Sequence, residues 1–126
     1  MKKRWYVILP AVAVVVTVVI FRTVFLLGCV TSESMEPTLK KGNIIFGFRL
    51  YGELHTGDIV IFRYDDKLLV KRIAASPGEI IDHNGIRLTV PDGNFYLLGD
   101  NSENSFDSRY WDEVFVKAED IVAKLL

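Results

Sequence analysis

Gly57-Asp58-Ile59-Val60-Ile61-Phe62-Arg63-Tyr64-Asp65-Asp66-Lys67-Leu68-Leu69-Val70-Lys71-Arg72-Ile73-Ala74 decides the fold. Two runs rich in Val, Ile, Leu and Phe flank the turn residues Asp65-Asp66, which predicts a β-hairpin. Side chains alternate across a strand, so Lys71 shares a face with Leu69 and Ile73, while Arg72 points to the other face. A lysine on that apolar face either snorkels at the sheet edge or is buried. On spacing alone the edge position is the commoner outcome. Burial would disfavour the ammonium and leave a neutral amine able to act as a general base.

Similar runs lie on both sides of the hairpin. Asn43-Ile44-Ile45-Phe46-Gly47-Phe48 precedes it. Glu79-Ile80-Ile81-Asp82, Ile86-Arg87-Leu88-Thr89-Val90 and Phe95-Tyr96-Leu97-Leu98 follow it. Asn84-Gly85 between two of these is the strongest turn signal, because a type I′ turn needs positive φ at both positions. Pro91-Asp92-Gly93 marks another turn. Short strands at close intervals predict a mainly β barrel or sandwich. Lys117–Leu126 fits a short helix or a strand equally well.

The N-terminal end is different. Trp5 to Phe21 is 17 residues without a charge, and apolar character resumes at Val24-Phe25-Leu26-Leu27. At about 1.5 Å per residue the run spans roughly 25 Å, or roughly 35 Å to Leu27, which brackets a bilayer core. The expected organisation is a basic cytoplasmic end at 1–4, a transmembrane anchor at 5–27 and an extracytoplasmic β domain at 28–126. Trp5 and Tyr6 suit an interfacial aromatic belt, and Arg22 can snorkel. Residues 1–22 carry Lys2, Lys3, Arg4 and Arg22 and no acid. The remainder carries 11 basic and 16 acidic residues, a balance of −5. Under the positive-inside rule the N-terminus stays cytoplasmic and the body faces outward. An acidic body argues against nucleic acid as a partner. A cleavable signal ending at the lipobox-like Leu26-Leu27-Gly28-Cys29 is the rival, but the apolar run is too long for it. The single cysteine excludes an internal disulfide and is expected to be a buried thiol.

Neither histidine has a catalytic setting; His55 and His83 read as surface loop residues, and no metal-ligand spacing or phosphate loop is present. No metal and no cofactor is expected. Two further stretches are richer. Ser32-Glu33-Ser34-Met35-Glu36-Pro37-Thr38-Leu39 follows the anchor, where Ser34 alone would more often be a turn residue. Gly99 to Trp111 is dense in Gly, Asp, Asn, Ser and Arg, costly as a plain connector, and suggests a hydrogen-bonded support.

Taken together, these stretches resemble the bacterial type I signal peptidases, membrane-bound serine proteases that remove signal peptides from exported proteins. Ser34–Leu39 looks like the nucleophile box and Gly57–Phe62 like the structural strand box. Lys71-Arg72-Ile73 with Pro77-Gly78-Glu79 looks like the general-base box. Gly99-Asp100-Asn101 through Trp111 looks like the last box, and Arg22-Thr23 fits the membrane-exit sequence. The order is the family's, and the likeness runs from the anchor to about residue 120.

The resemblance implies a signal-peptidase-like β-barrel or sandwich behind a single N-terminal transmembrane helix. It implies Ser34 as nucleophile, Lys71 as general base and Ser32 as an oxyanion-hole hydroxyl beside the Ser34 N–H. Ser105 would hydrogen-bond and orient the lysine, Asp107 and Arg109 would form a structural ion pair, and Met35 would line the substrate groove. The partners implied are preproteins cut at small-x-small sites, and the lipid bilayer. Glu33 stands where the family usually has glycine and Thr31 where proline is common, which bears on substrate preference. Only 26 residues separate Arg72 from Gly99, so the family's inserted β-domain shrinks to little beyond the Asn84-Gly85 hairpin. A peptidase dedicated to one client, such as a pilin, and an inactive assembly scaffold are the alternatives. A self-cleaving repressor-type Ser-Lys protease is disfavoured by the anchor.

Overall fold

The computed structural model describes residues 2–126. Helix α1 (Trp5–Val24) leads into nine strands: β1 (Phe25–Cys29), β2 (Ile44–Phe48), β3 (Ile59–Tyr64), β4 (Lys67–Ala75), β5 (Ile80–His83), β6 (Ile86–Thr89), β7 (Asn94–Leu98), β8 (Val116–Lys117) and β9 (Ile121–Leu125). The mainly β architecture behind one apolar helix matches the sequence reading. None of α1's side chains is buried by the rest of the chain, and it is long and apolar enough to cross a membrane. Its two threonines return their hydroxyls to its own backbone, Thr17 to Ala13 O and Thr23 to Val19 O. This satisfies polar groups that a lipid environment cannot.

The helix stops at Val24, three residues short of the expected anchor end. Phe25 turns to extended backbone (φ −116°, ψ 149°), and Phe25–Leu27 pair with Phe48, Gly47 and Phe46. Hydropathy could not mark this boundary, because an apolar strand and an apolar helix end have the same composition. Cys29 also departs from expectation. It is exposed, because β1 is an edge strand whose alternation turns Leu27 and Cys29 outward.

Seven strands form one sheet in the order β1-β2-β9-β3-β4-β7-β8, and β5-β6 form a separate hairpin. The hairpin predicted from the opening stretch is present, with Tyr64 opposite Lys67 and Asp65 and Asp66 both at positive φ. Asn84 and Gly85 are also at positive φ (52° and 87°), as a type I′ turn requires. The C-terminal stretch resolves to strands β8 and β9 around a 3-10 turn (Ala118–Asp120).

β3 holds the molecule together. Val60 and Phe62 enter one core cluster with Ile73, Leu97 and Trp111, while Ile61 enters another with Val30, Ile45 and Ala123. A strand covered on both faces reads as a continuous apolar run, as Ile59–Phe62 does. Every sheet neighbour from β1 to β4 is antiparallel, so β1 and β4 run in the same direction. β7 pairs with β4 only from Arg72 onward. The Lys67–Lys71 half of β4 therefore keeps a free edge. The sheet curls enough for residues 68–71 and 29–32 to line one depression of ≈ 70 Å³.

Candidate active site

The depression ends at three buried side chains. Ser34 is 6% exposed, Lys71 4% and Met35 1%. Ser34 sits in a run of turns, with Glu36 N donating to Glu33 O and Leu39 N to Met35 O. Lys71 arrives from β4 on the face it shares with buried Ile73. Its Nζ lies 2.6 Å from Ser34 Oγ and donates to it. The Ser32 hydroxyl is 3.1 Å from the same Oγ. Burial pushes the Lys71 ammonium below the ordinary lysine range, and the field of the Asp107 carboxylate partly opposes this. An amine that loses its proton more easily, in contact with a hydroxyl, is the chemical requirement for activating a serine without histidine.

The last sequence box wraps the serine from behind. Asn101 N donates to Ser34 O (2.8 Å), and Asn101 Nδ2 donates to Glu33 O (3.1 Å). Gly99 cannot be another residue here: an added Cβ would collide with the Ser105 side chain and come within 2.6 Å of Ser34 O. Asp107 is fully buried. Its carboxylate accepts from Gly99 N (3.0 Å), Arg109 N (3.2 Å), Arg109 Nε (2.9 Å) and Arg109 Nη2 (3.0 Å). Burial alone would raise its pKa, but these donors, led by the Arg109 side chain, hold it below the usual carboxylate range. Asp107 and Arg109 thus form an ion pair.

Ser105 differs from expectation. Its hydroxyl is buried without a hydrogen-bond partner and makes no bond to Lys71. The side chain is packed against Gly99 and lies near enough to Asp107 to help keep that carboxylate ionised. His83 is half-buried at the end of β5, with Nδ1 3.2 Å from the Tyr96 hydroxyl, rather than free on the surface. His55 is the exposed loop residue expected, close to Glu53 and Asp58. Glu33 is not loose in solvent, since Asn104 Nδ2 donates to its Oε2 (3.1 Å).

Sequence reasoning missed a second ion pair. Arg72 Nε and Nη2 donate to the two oxygens of Asp100 at 2.8 and 2.7 Å, and Arg72 Nη1 donates to Gly57 O. Thr38 Oγ1 donates to Asp100 as well (2.6 Å). One carboxylate thus joins the serine loop, β4 and the last box. The available signal was Arg72's place on the face opposite Lys71, which demands its own partner. Among the described residues, no group of three His, Cys, Asp or Glu side chains could hold a metal ion.

A buried serine and lysine in contact, on a mainly β body behind one apolar helix, fit the class of serine peptidases. The family described as "Signal peptidase, peptidase S26" matches residues 2–90 and 83–126. The chain belongs to this family of serine endopeptidases. It is 29% identical to signal peptidase I V of Bacillus subtilis, over 88% of this chain and 90% of that protein. It is 32% identical to signal peptidase I of Bacillus caldolyticus, over 96% and 85%. It is 38% identical to mitochondrial inner membrane protease subunit 1 of Mus musculus, over 64% of this chain and 56% of that protein.

Proposed function

We propose that the chain removes N-terminal signal peptides from exported preproteins with a Ser34/Lys71 dyad. The observation that carries this reading is the 2.6 Å contact between Lys71 Nζ and Ser34 Oγ in a buried setting. In the reaction, neutral Lys71 takes the Ser34 hydroxyl proton as Oγ attacks the scissile carbonyl carbon. The carbonyl π electrons move to oxygen, and the resulting oxyanion is held by the Ser34 N–H and the Ser32 hydroxyl. The lysine ammonium then gives its proton to the leaving amine as the C–N bond breaks. Water, deprotonated by the same lysine, hydrolyses the acyl-enzyme and frees Ser34.

The substrate enters as an added strand between residues 29–32 and the free edge of β4 at 68–71, where main-chain pairing supplies affinity. The small volume of the depression, ≈ 70 Å³, supports small side chains before the cleavage point, as at small-x-small sites. Met35 closes its floor. Helix α1 spans the bilayer with Lys2, Lys3 and Arg4 in the cytoplasm. The β body then meets the preprotein on the outer face, and the basic charge at the N-terminus supports that orientation. Asp107 and Arg109 brace the loop behind the serine. The chain divides at β1, residues 28–126 carrying the catalytic domain.

The test is cleavage of a preprotein by the full chain in vesicles. Ser34→Ala and Lys71→Ala each lose at least about 10³-fold in kcat, in line with removal of a nucleophile or base. Retention of wild-type cleavage by either variant overturns the dyad.

A further inference from the structure

We propose that a cationic depression beside the exit of α1 binds the phosphate headgroup of an anionic phospholipid. The depression has a volume of ≈ 300 Å³, and Arg49, Arg63 and Lys67 supply its charge. Leu26, Leu68 and Val122 supply an apolar wall, and Asp66 is its one acid. None of the three cations is in an ion pair among the described residues. Arg49 is pinned to the helix exit: its main-chain N–H donates to Val24 O (2.7 Å) and its Nε to Phe25 O (3.3 Å). Arg49 and Leu26 also line a second depression, with Phe21, Arg22, Phe25 and Leu27.

Three cations facing one acid, beside an apolar trough with Arg22 at the end of a membrane-length helix, match an amphipathic anion. The guanidinium groups suit phosphate oxygens, and the trough suits the start of an acyl chain. A soluble phosphate would leave the trough empty. Arg63 and Asp66 also border a separate acidic hollow with Asp65, Asp112, Glu113 and Asp120, so the anion enters from the Arg49 and Lys67 side. β1 and the free half of β4 run in the same direction. Leu68 lines both this depression and the one at Ser34, so the occupied site would hold the latter at a fixed height above the bilayer. This inference rests on α1 spanning the membrane and not on the roles of Ser34 and Lys71. Resistance of the chain to alkaline extraction from vesicles checks the spanning separately.

The test is native mass spectrometry of the full chain released from micelles containing phosphatidylglycerol and phosphatidylcholine. The wild-type chain retains phosphatidylglycerol preferentially. Arg63→Gln with Lys67→Gln weakens that retention by about 30-fold, roughly fivefold per cation at a membrane surface. Retention of phosphatidylcholine is unchanged. The charge-matched pair Arg87→Gln with Lys117→Gln, on the separate hairpin and on β8, keeps wild-type retention. If the first pair does not fold, Lys67→Gln alone, at an exposed strand start, lowers retention about fivefold. Three results overturn the proposal: wild-type retention in the pocket variants, an equal loss in the control pair, or displacement of the lipid by millimolar inorganic phosphate. Altered preprotein cleavage in lipid-free micelles without altered lipid retention also overturns it, and gives the pocket to the substrate.

Discussion

Lys71 and Arg72 are neighbours on β4 with opposite electrostatic fates. Arg72, on one face, meets Asp100 through two short hydrogen bonds and stays charged. That contact also holds the Asp100 carboxylate below its usual range, chiefly through the Arg72 hydrogen bond. Lys71, on the other face, is buried with a hydroxyl and no carboxylate partner. Asp107 acts on it only as a field, being bound to Arg109. Pairing preserves a charge and burial without pairing weakens it, so one strand supplies both a brace and a lysine whose ammonium is weakened, as the proposed base requires. Arginines bind both Asp100 and Asp107. A lysine bonded directly to either acid would keep its proton and could not take another.

The sharpest way to break this comparison is to keep the charge and remove the basicity. Lys71→Arg places a permanently protonated group at the site. If Lys71 acts as a neutral amine, the variant loses about 10²–10⁴-fold in kcat, the range for a lost general base. If Lys71 serves only as a fixed positive charge, the variant keeps most of its activity. Cleavage of a preprotein in vesicles separates the two.

The next largest effect concerns the second pair. Asp107→Asn, at a fully buried position, leaves the partly buried Arg109 guanidinium without its carboxylate. The expected cost is roughly 3 kcal/mol, read by urea unfolding of the detergent-solubilised chain. The same change has a catalytic signature. Asp107 raises the Lys71 pKa, so its removal lowers it, and the acidic limb of the kcat/KM profile moves to lower pH. An unmoved limb would mean that the Asp107 field does not reach the base.

The Arg72–Asp100 pair is more exposed, at 34% and 16% for the two side chains, and solvent screens it. Arg72→Gln is therefore expected to cost less, roughly 1–2 kcal/mol. It also frees the Asp100 contact that ties Thr38 and the serine loop to β4, so kcat falls more than KM changes. Equal costs for Arg72→Gln and Asp107→Asn would contradict the ranking by burial.

The strands were legible because their apolar runs are short and bounded by turn residues that need positive φ, as at Asp65-Asp66 and Asn84-Gly85. β1 was not, because Phe25–Leu27 carries the same composition as the helix it leaves. Only pairing with Ile44–Phe48, far along the chain, makes it a strand. The exposure of Cys29 follows from the same edge and was hidden with it. In the site, period-two alternation placed Lys71 on the apolar face, but spacing alone favoured the strand edge over the burial that the structure shows. The Arg72–Asp100–Thr38 junction was not readable, because three residues spread from 38 to 100 meet only after the sheet curls. Ser105 matches by motif, and the structure packs its side chain against Gly99 with no hydrogen bond to Lys71.

The smallest effect tests the cost of the arrangement itself. The folded pKa of Lys71 lies below its unfolded value. Between the two, the unfolded chain binds the extra proton, and stability rises with pH. The penalty for holding the lysine buried is fully present below the folded pKa and disappears as pH rises toward the ordinary lysine range. Lys71→Met removes that penalty but also removes the bond to Ser34, two terms of opposite sign, so the net change at any one pH is small. The informative quantity is its slope. The melting temperature of the variant minus that of wild type should be highest at low pH and fall as pH increases from 6 to 10. A difference independent of pH would mean that Lys71 titrates as it does in water. Burial on the inner face of β4 would then not set it apart from its neighbour.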